Sequence, residues 1–133
     1  MREYGLEVGR AFQLVDDLLD YTATSDQLGK PAFSDLREGK LTLPMLTLLE
    51  RAPDEARDII RSIWDRGEEV PISSEEEVRL RALIARYDAL SETRELALGA
   101  SQRAVAQVER VQGDAATGAL LREIPEALLS RTT

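Results

Sequence analysis

Apolar residues recur along this chain at the spacing of an α-helix, and this periodicity constrains the fold more than any other feature of the sequence. In the first segment they fall three and four positions apart, which places them on one face of a helix. They are Val8, Ala11, Phe12, Val15, Leu18 and Leu19. No alternation typical of a β-strand continues over five residues, and no internal repeat is present. The sequence therefore predicts an all-α fold.

Prolines, glycines and capping residues divide the chain into six predicted helices and one unusual loop. The helices are expected over residues 3–22, 41–51, 53–66, 74–87, 91–112 and 115–131. The loop, residues 23–40, is rich in turn-forming residues. The fourth helix is expected to begin with a capping box at Ser74–Glu77, because a serine followed three residues later by glutamate is typical of one.

Two absences exclude whole classes of chemistry. The 133 residues include neither cysteine nor histidine, so disulfides, cysteine nucleophiles, Cys/His zinc sites and Ser-His-Asp triads are ruled out. Any catalysis must use other polar side chains or a hard cation such as magnesium, which takes carboxylate and water oxygens as ligands.

Charge and hydropathy argue against two kinds of partner. With 17 basic and 25 acidic side chains the net charge is −8, whereas nucleic-acid binding needs clustered lysine and arginine. The longest nearly apolar stretch, Leu41–Leu49, is far shorter than the ~20 residues that cross a bilayer. We therefore expect no nucleic-acid partner, no transmembrane segment and, since no signal-peptide pattern follows Met1, a cytoplasmic protein.

A polar stripe on the first helix contains the candidate chemistry. Gly9, Gln13, Asp16 and Asp20 share one face, with Asp17 beside it. The three carboxylates have no lysine or arginine within five residues, and they lie toward the negative end of the helix dipole. Such crowding destabilises a bare helix, so a bound divalent cation would explain it. From spacing alone, a solvated C-terminal turn explains the acids equally well.

The loop after this helix favours the metal interpretation. Lys30 and Lys40 flank Asp35 in a stretch rich in glycine and proline. Acids that can hold a metal, followed by lysines that can reach phosphate oxygens, are the components of a magnesium-bridged diphosphate site.

Residues 12–21, Phe-Gln-Leu-Val-Asp-Asp-Leu-Leu-Asp-Tyr, resemble the second aspartate-rich motif of the trans-isoprenyl diphosphate synthases, or polyprenyl synthetases. This motif is followed, in the order that the family shows, by residues 29–31, Asp35 and residues 38–44. The segments Ala97–Val111 and Leu120–Arg131 resemble its alanine-rich penultimate helix and its closing helix. The resemblance implies that residues 1–133 are the C-terminal part of an isoprenoid-synthase-type helical bundle, with the N-terminal half absent.

The resemblance also implies an activity and a metal. The family condenses isopentenyl diphosphate head to tail with an allylic prenyl diphosphate, through ionisation to an allylic cation. Asp16 would be the principal Mg²⁺ ligand, and Asp17 and Asp20 would hold metal-bound waters or a neighbouring lysine.

Other site residues follow from the same resemblance. Lys30 and Lys40 would contact the allylic diphosphate and stabilise its departure as pyrophosphate. Phe12 and Gln13 would line the site near the reacting isoprene units. Thr42, together with Asp35, would orient these groups.

The sequence also departs from the family. The first aspartate-rich motif and the elements that hold isopentenyl diphosphate are absent, and the first helix has no N-cap side chain. The isolated chain is therefore expected to be inactive. Two alternatives stay open: a non-catalytic helical module that forms homo-oligomers or partners a missing synthase half, and an unrelated acidic bundle with a chance motif.

Overall fold

A computed structural model describes residues 2–22, 32–110 and 115–131. These ranges contain seven helices and no strand: α1 Arg2–Thr22, α2 Ser34–Arg37, α3 Leu43–Arg51, α4 Pro53–Arg66, α5 Ser74–Arg86, α6 Ser91–Arg110 and α7 Ala115–Ser130. The all-α prediction is confirmed. No helix in the described ranges is long and apolar enough to cross a membrane.

The structure adds one helix to the six predicted. Helix α2 lies in the segment that was expected to be a loop, and its four residues are too few for a periodic pattern to reveal. Isolated helices of this length are unstable in water, so α2 depends on contacts from elsewhere in the chain. Those contacts are described with the candidate site below.

The capping box of α5 lies one residue earlier than predicted. The Ser73 hydroxyl accepts a hydrogen bond from the Glu76 N–H at 3.2 Å, and the Glu76 carboxylate accepts one from the Ser73 N–H at 3.0 Å. Both serines precede a glutamate by three residues, so the pattern alone does not choose between them. The register observed lets Glu76 also pair with Arg66 at the end of α4.

The chain divides into two compact units, and the first contains most of α1, most of α6 and all of α7. The small residues of α6 are buried, as expected for a helix interface: they are Ala97, Ala100, Ala104 and Val108. Tyr4 packs with Ala104 and Val108, and its hydroxyl donates to the Leu121 carbonyl at 2.7 Å.

The second unit, residues 20–92, is built around α4. This helix packs against α2, α3 and α5. Its side of the core includes Ala56, Ile59, Ile60 and Ile63, and the other helices contribute further apolar side chains. Fully buried among these are Leu36, Met45, Leu48 and Leu80. Helix α2 thus enters this core through Leu36, which explains how so short a helix can be ordered.

The pairing of Arg66 with Glu76 predicts a pH-dependent contribution to stability. The guanidinium and the capping bond lower the pKa of Glu76 from 4.5 to about 2. Ionised Glu76 therefore stabilises the folded chain at pH values above 4.5, and this stabilisation is lost as the pH falls toward 2. Glu76→Gln, which keeps a capping side chain, should reduce the free energy of unfolding at pH 7 by about 1 kcal/mol.

Urea denaturation of both proteins between pH 7 and pH 3 measures this contribution. The difference between wild type and Glu76→Gln should shrink on acidification below pH 4.5. Glu75→Gln is the matched control, because Glu75 lies on the same exposed turn without an ion pair to any described residue. A difference that stays constant with pH would contradict the assignment.

Candidate functional site

The three motif aspartates of α1 have different environments. Asp16 is exposed and makes no hydrogen bond or ion pair with any residue that the structure describes. Asp17 is half-buried, and Asp20 is only 1% exposed. The family resemblance places all three carboxylates at the metal, with Asp16 as the principal ligand, whereas the structure separates an exposed acid from a buried one.

The Asp20 carboxylate is hydrogen-bonded to the first residues of α2. One carboxylate oxygen accepts hydrogen bonds from the Ser34 N–H at 3.0 Å and the Ser34 hydroxyl at 2.9 Å. The other accepts from the Asp35 N–H at 3.2 Å. Phe33 precedes α2 and offers no capping side chain, so Asp20 satisfies the helix N-terminus from α1. Burial raises the pKa of Asp20, and the Ser34 hydrogen bond opposes that effect.

The positions of the acidic side chains decide whether the chain can hold a metal ion by itself. In the described part of the chain, no three acidic side chains converge closely enough to hold an ion together. Magnesium, however, is commonly bound by one or two carboxylates together with waters and substrate phosphates. The exposed carboxylate of Asp16 fits that kind of partial site, and the hydrogen-bonded oxygens of Asp20 fit it poorly. The predicted metal role of all three aspartates stays a prediction.

Of the two predicted lysines, the structure describes one. Lys30 lies outside the described residues. Lys40 is exposed, and its ammonium group lies 3.0 Å from the Glu38 carboxylate, which raises the pKa of Lys40. Its backbone N–H donates to the Asp35 carbonyl at 2.8 Å. The Lys40 backbone is therefore held at the end of α2, while its charged end remains in solvent.

The other predicted residues fall into two groups. Phe12 and Gln13 are exposed on α1, where Phe12 is 52% exposed although the periodicity placed it on the apolar stripe. Thr42 is half-buried, and its hydroxyl lies 3.0 Å from the hydroxyl of buried Tyr21. Thr42 thus ties the segment after Lys40 to the end of α1.

Two residues that sequence reasoning missed, Phe33 and Arg81, link the start of α2 to the end of α1. Phe33 is buried, and its ring lies 5.5 Å from that of Tyr21. The Arg81 guanidinium lies 4.9 Å from the centre of the Phe33 ring and donates to the Tyr21 carbonyl at 2.8 Å. Arg81 follows Tyr21 by 60 residues, so no local pattern could have indicated it.

Comparisons with known proteins identify the family to which this sequence is similar. A sequence model of the family described as Polyprenyl synthetase matches residues 1–80. Solanesyl diphosphate synthase 1, chloroplastic, from Arabidopsis thaliana is 53% identical over 62 residues, which are 47% of this chain and 15% of that protein.

Two solved structures show the same fold over nearly the whole chain. A polyprenyl synthase from Caulobacter crescentus CB15, complexed with calcium and isoprenyl diphosphate, aligns with a TM-score of 0.82 and 35% identity over 99% of this chain and 39% of its own. A geranylgeranyl pyrophosphate synthase from Corynebacterium glutamicum, complexed with isoprenyl diphosphate and magnesium, aligns with a TM-score of 0.79 and 29% identity. The alignment covers 97% of this chain and 36% of that one. The chain spans less than half the length of these relatives. With more than half of its residues matched by the family model, it belongs to the polyprenyl synthetase family.

Proposed function

We propose that this chain supplies the diphosphate-ionising part of a trans-polyprenyl diphosphate synthase. The complete enzyme would condense isopentenyl diphosphate head to tail with an allylic prenyl diphosphate. The observation that carries the proposal is that Asp16 is exposed and has no polar partner among the described residues, in an aspartate motif that is followed in order by Lys30, Asp35 and Lys40. The family match over residues 1–80 includes all of these positions.

The metal part of the proposal rests on Asp16 and Asp17. Asp16 would be the principal Mg²⁺ ligand and Asp17 would support it, with waters and diphosphate oxygens as the other ligands. Bound magnesium would neutralise the negative charge that develops on the departing pyrophosphate. The magnesium and calcium in the two related structures support a divalent cation.

The remaining residues would bind and orient the substrate. Lys40 is protonated at neutral pH, as lysines ordinarily are, and Glu38 raises its pKa further, so it can offer a positive charge to a phosphate oxygen. Lys30 would contribute a second ammonium group. Phe12 and Gln13 would face the isoprene units, since a carbocation requires apolar surroundings and few water molecules. Thr42 would help to hold the segment that contains Lys40.

Calorimetric titration with magnesium and inorganic pyrophosphate tests the proposed site. The wild-type chain should bind pyrophosphate only when magnesium is present, and Asp16→Asn should weaken that binding by about tenfold or more. Asp54→Asn changes the net charge equally on an exposed turn of α4 and should leave the affinity unchanged. Equal binding by wild type and Asp16→Asn would contradict the proposed role of Asp16.

Condensation itself is expected to need more than this chain. The missing first aspartate-rich motif and the span relative to known synthases lead us to propose that residues 1–133 bind the diphosphate but do not elongate it. Incubation with radiolabelled isopentenyl diphosphate and an allylic diphosphate measures this directly. Formation of a longer prenyl product by the purified chain would contradict the proposal.

Exposed apolar side chains support a second candidate, an interaction module. Leu6 and Phe12 on α1 are 54% and 52% exposed, and Leu96 and Leu98 on α6 are also exposed. Large exposed apolar surfaces are typical of interfaces, so the chain would form homo-oligomers or pair with a missing synthase half. Light scattering that shows a monomer at all concentrations would argue against this candidate.

For the cellular location we propose the cytoplasm. The composition favours the cytoplasm, and no helix in the described ranges could cross a membrane. Some relatives are named as chloroplastic and others as mitochondrial, so fractionation of the native cells is the appropriate test.

A further inference from the structure

We infer that Asp20 is a positioning residue of this site and not a metal ligand: it fixes helix α2 and, through α2, the backbone at Lys40. The functional part of the inference rests on the proposed function, because the position of Lys40 matters only if the site binds a diphosphate. The structural part, that Asp20 holds α2 in place, depends only on contacts within residues 20–92.

The Asp20 carboxylate has little capacity left for an ion. Two oxygens offer about four acceptor positions, and three are taken by the two donors of Ser34 and the N–H of Asp35. The side chain is buried. A metal at Asp20 would have to displace these donors, and each displaced N–H or O–H would lose its partner in a buried or partly buried environment.

The same contacts make α2 dependent on Asp20. A helix of four residues is unstable alone, and Phe33, the residue before it, provides no capping side chain. Asp20 supplies the missing acceptors, and its own carbonyl accepts a further hydrogen bond from the Phe33 N–H at 3.2 Å. Both ends of the Asp20 residue, carbonyl and carboxylate, therefore hold the start of α2.

A short series of contacts leads from Asp20 to Lys40. The Asp35 N–H is held by Asp20, and the Asp35 carbonyl accepts the Lys40 N–H at 2.8 Å. Between them, Gly39 turns the chain with a positive φ of 81° and donates to the Leu36 carbonyl at 3.1 Å. Loss of the Asp20 contacts should therefore loosen the backbone at Lys40 as well as at Ser34.

Amide hydrogen exchange in metal-free buffer tests the hold on α2. Asp20→Asn keeps the shape of the side chain but replaces one acceptor oxygen by an NH₂ group, which cannot accept the Asp35 N–H. Exchange at Ser34, Asp35 and Lys40 should become about tenfold faster or more. Asp16→Asn, on the same helix, should leave these rates unchanged. Unchanged rates in Asp20→Asn would overturn the inference.

Pyrophosphate titrations at a series of magnesium concentrations separate positioning from metal binding. In Asp20→Asn the affinity for pyrophosphate should fall several-fold, while the magnesium concentration that gives half-maximal binding stays that of wild type. Asp16→Asn should shift that magnesium concentration upward. A similar upward shift in Asp20→Asn, or a pyrophosphate affinity equal to wild type, would overturn the inference.

Ser34→Ala tests the same contact from the other side. Ser34 is outside the aspartate motif, so its effect on pyrophosphate binding must act through α2; we expect the same direction and a smaller size than for Asp20→Asn. If Asp20→Asn does not fold, Ser34→Ala decides the question, and wild-type exchange rates at Lys40 in that variant would overturn the inference. A wild-type chain that binds no pyrophosphate would instead contradict the proposed function, while the exchange rates would still decide the role of Asp20 in holding α2.

Discussion

Replacing Phe33 by alanine is expected to lower the free energy of unfolding by about 3–5 kcal/mol. The ring is only 1% exposed and contacts both the Tyr21 ring and the Arg81 guanidinium. Alanine would leave a cavity and would also remove both ring contacts. Urea denaturation followed by circular dichroism measures the loss, and Phe33→Leu should be milder because it fills part of the cavity.

The backbone at Phe33 makes a second comparison informative. Its φ is 58°, in the left-handed region that costs a non-glycine residue about 1–2 kcal/mol. Glycine adopts this conformation without that cost, so Phe33→Gly should be at least as stable as Phe33→Ala. At most positions within secondary structure the order is reversed, with glycine less stable than alanine by about 0.5–1 kcal/mol.

Leu36 provides the control for that comparison. It is fully buried on α2 with right-handed helical geometry, so Leu36→Gly should be less stable than Leu36→Ala. If both positions ranked glycine below alanine, Phe33 would not have a left-handed backbone. The anchor of α2 would then require a different explanation.

The structural features that the sequence could not predict depend on contacts between residues far apart in the chain. Helices α1 and α4 are recognisable because apolar periodicity is a local signal: the sequence predicts α4 at residues 53–66, and it is found at Pro53–Arg66. Helix α2 depends on Asp20, which lies 14 residues before Ser34. No pattern within a single helix contains that information, so the sequence predicts a loop there.

In the candidate site, too, local features could be predicted and features that depend on packing could not. The aspartate spacing correctly places the three acids on one helix, but it does not show that Asp20 is buried and Asp16 exposed. Periodicity likewise identifies Phe12 as part of an apolar stripe without showing what covers it. Burial depends on which elements pack nearby, and the sequence of one helix does not specify its neighbours.

Replacing Arg81 by methionine is expected to lower the free energy of unfolding by about 2–4 kcal/mol. The Tyr21 carbonyl is in the last turn of α1, where carbonyls have no partner within the helix, and a hydrogen bond from a charged group there contributes about 1.5–3 kcal/mol. The cation–π contact with Phe33 adds about 0.5–2 kcal/mol. Arg81→Lys should recover little, because an ammonium group cannot both stack on a ring and donate from a planar fork.

Arg79→Met is the matched control, since Arg79 is exposed on the same helix without an ion pair to any described residue. A double-mutant cycle of Arg81→Met with Phe33→Leu isolates the ring contact, and a coupling near zero would mean that the cation–π geometry contributes nothing. Equal destabilisation by Arg79→Met and Arg81→Met would contradict the specific role of Arg81. A difference between them larger than the surface ion pair of Arg81 with Glu77 at 3.1 Å can contribute would show that a residue of α5 holds the end of α1 and Phe33, the residue that precedes α2.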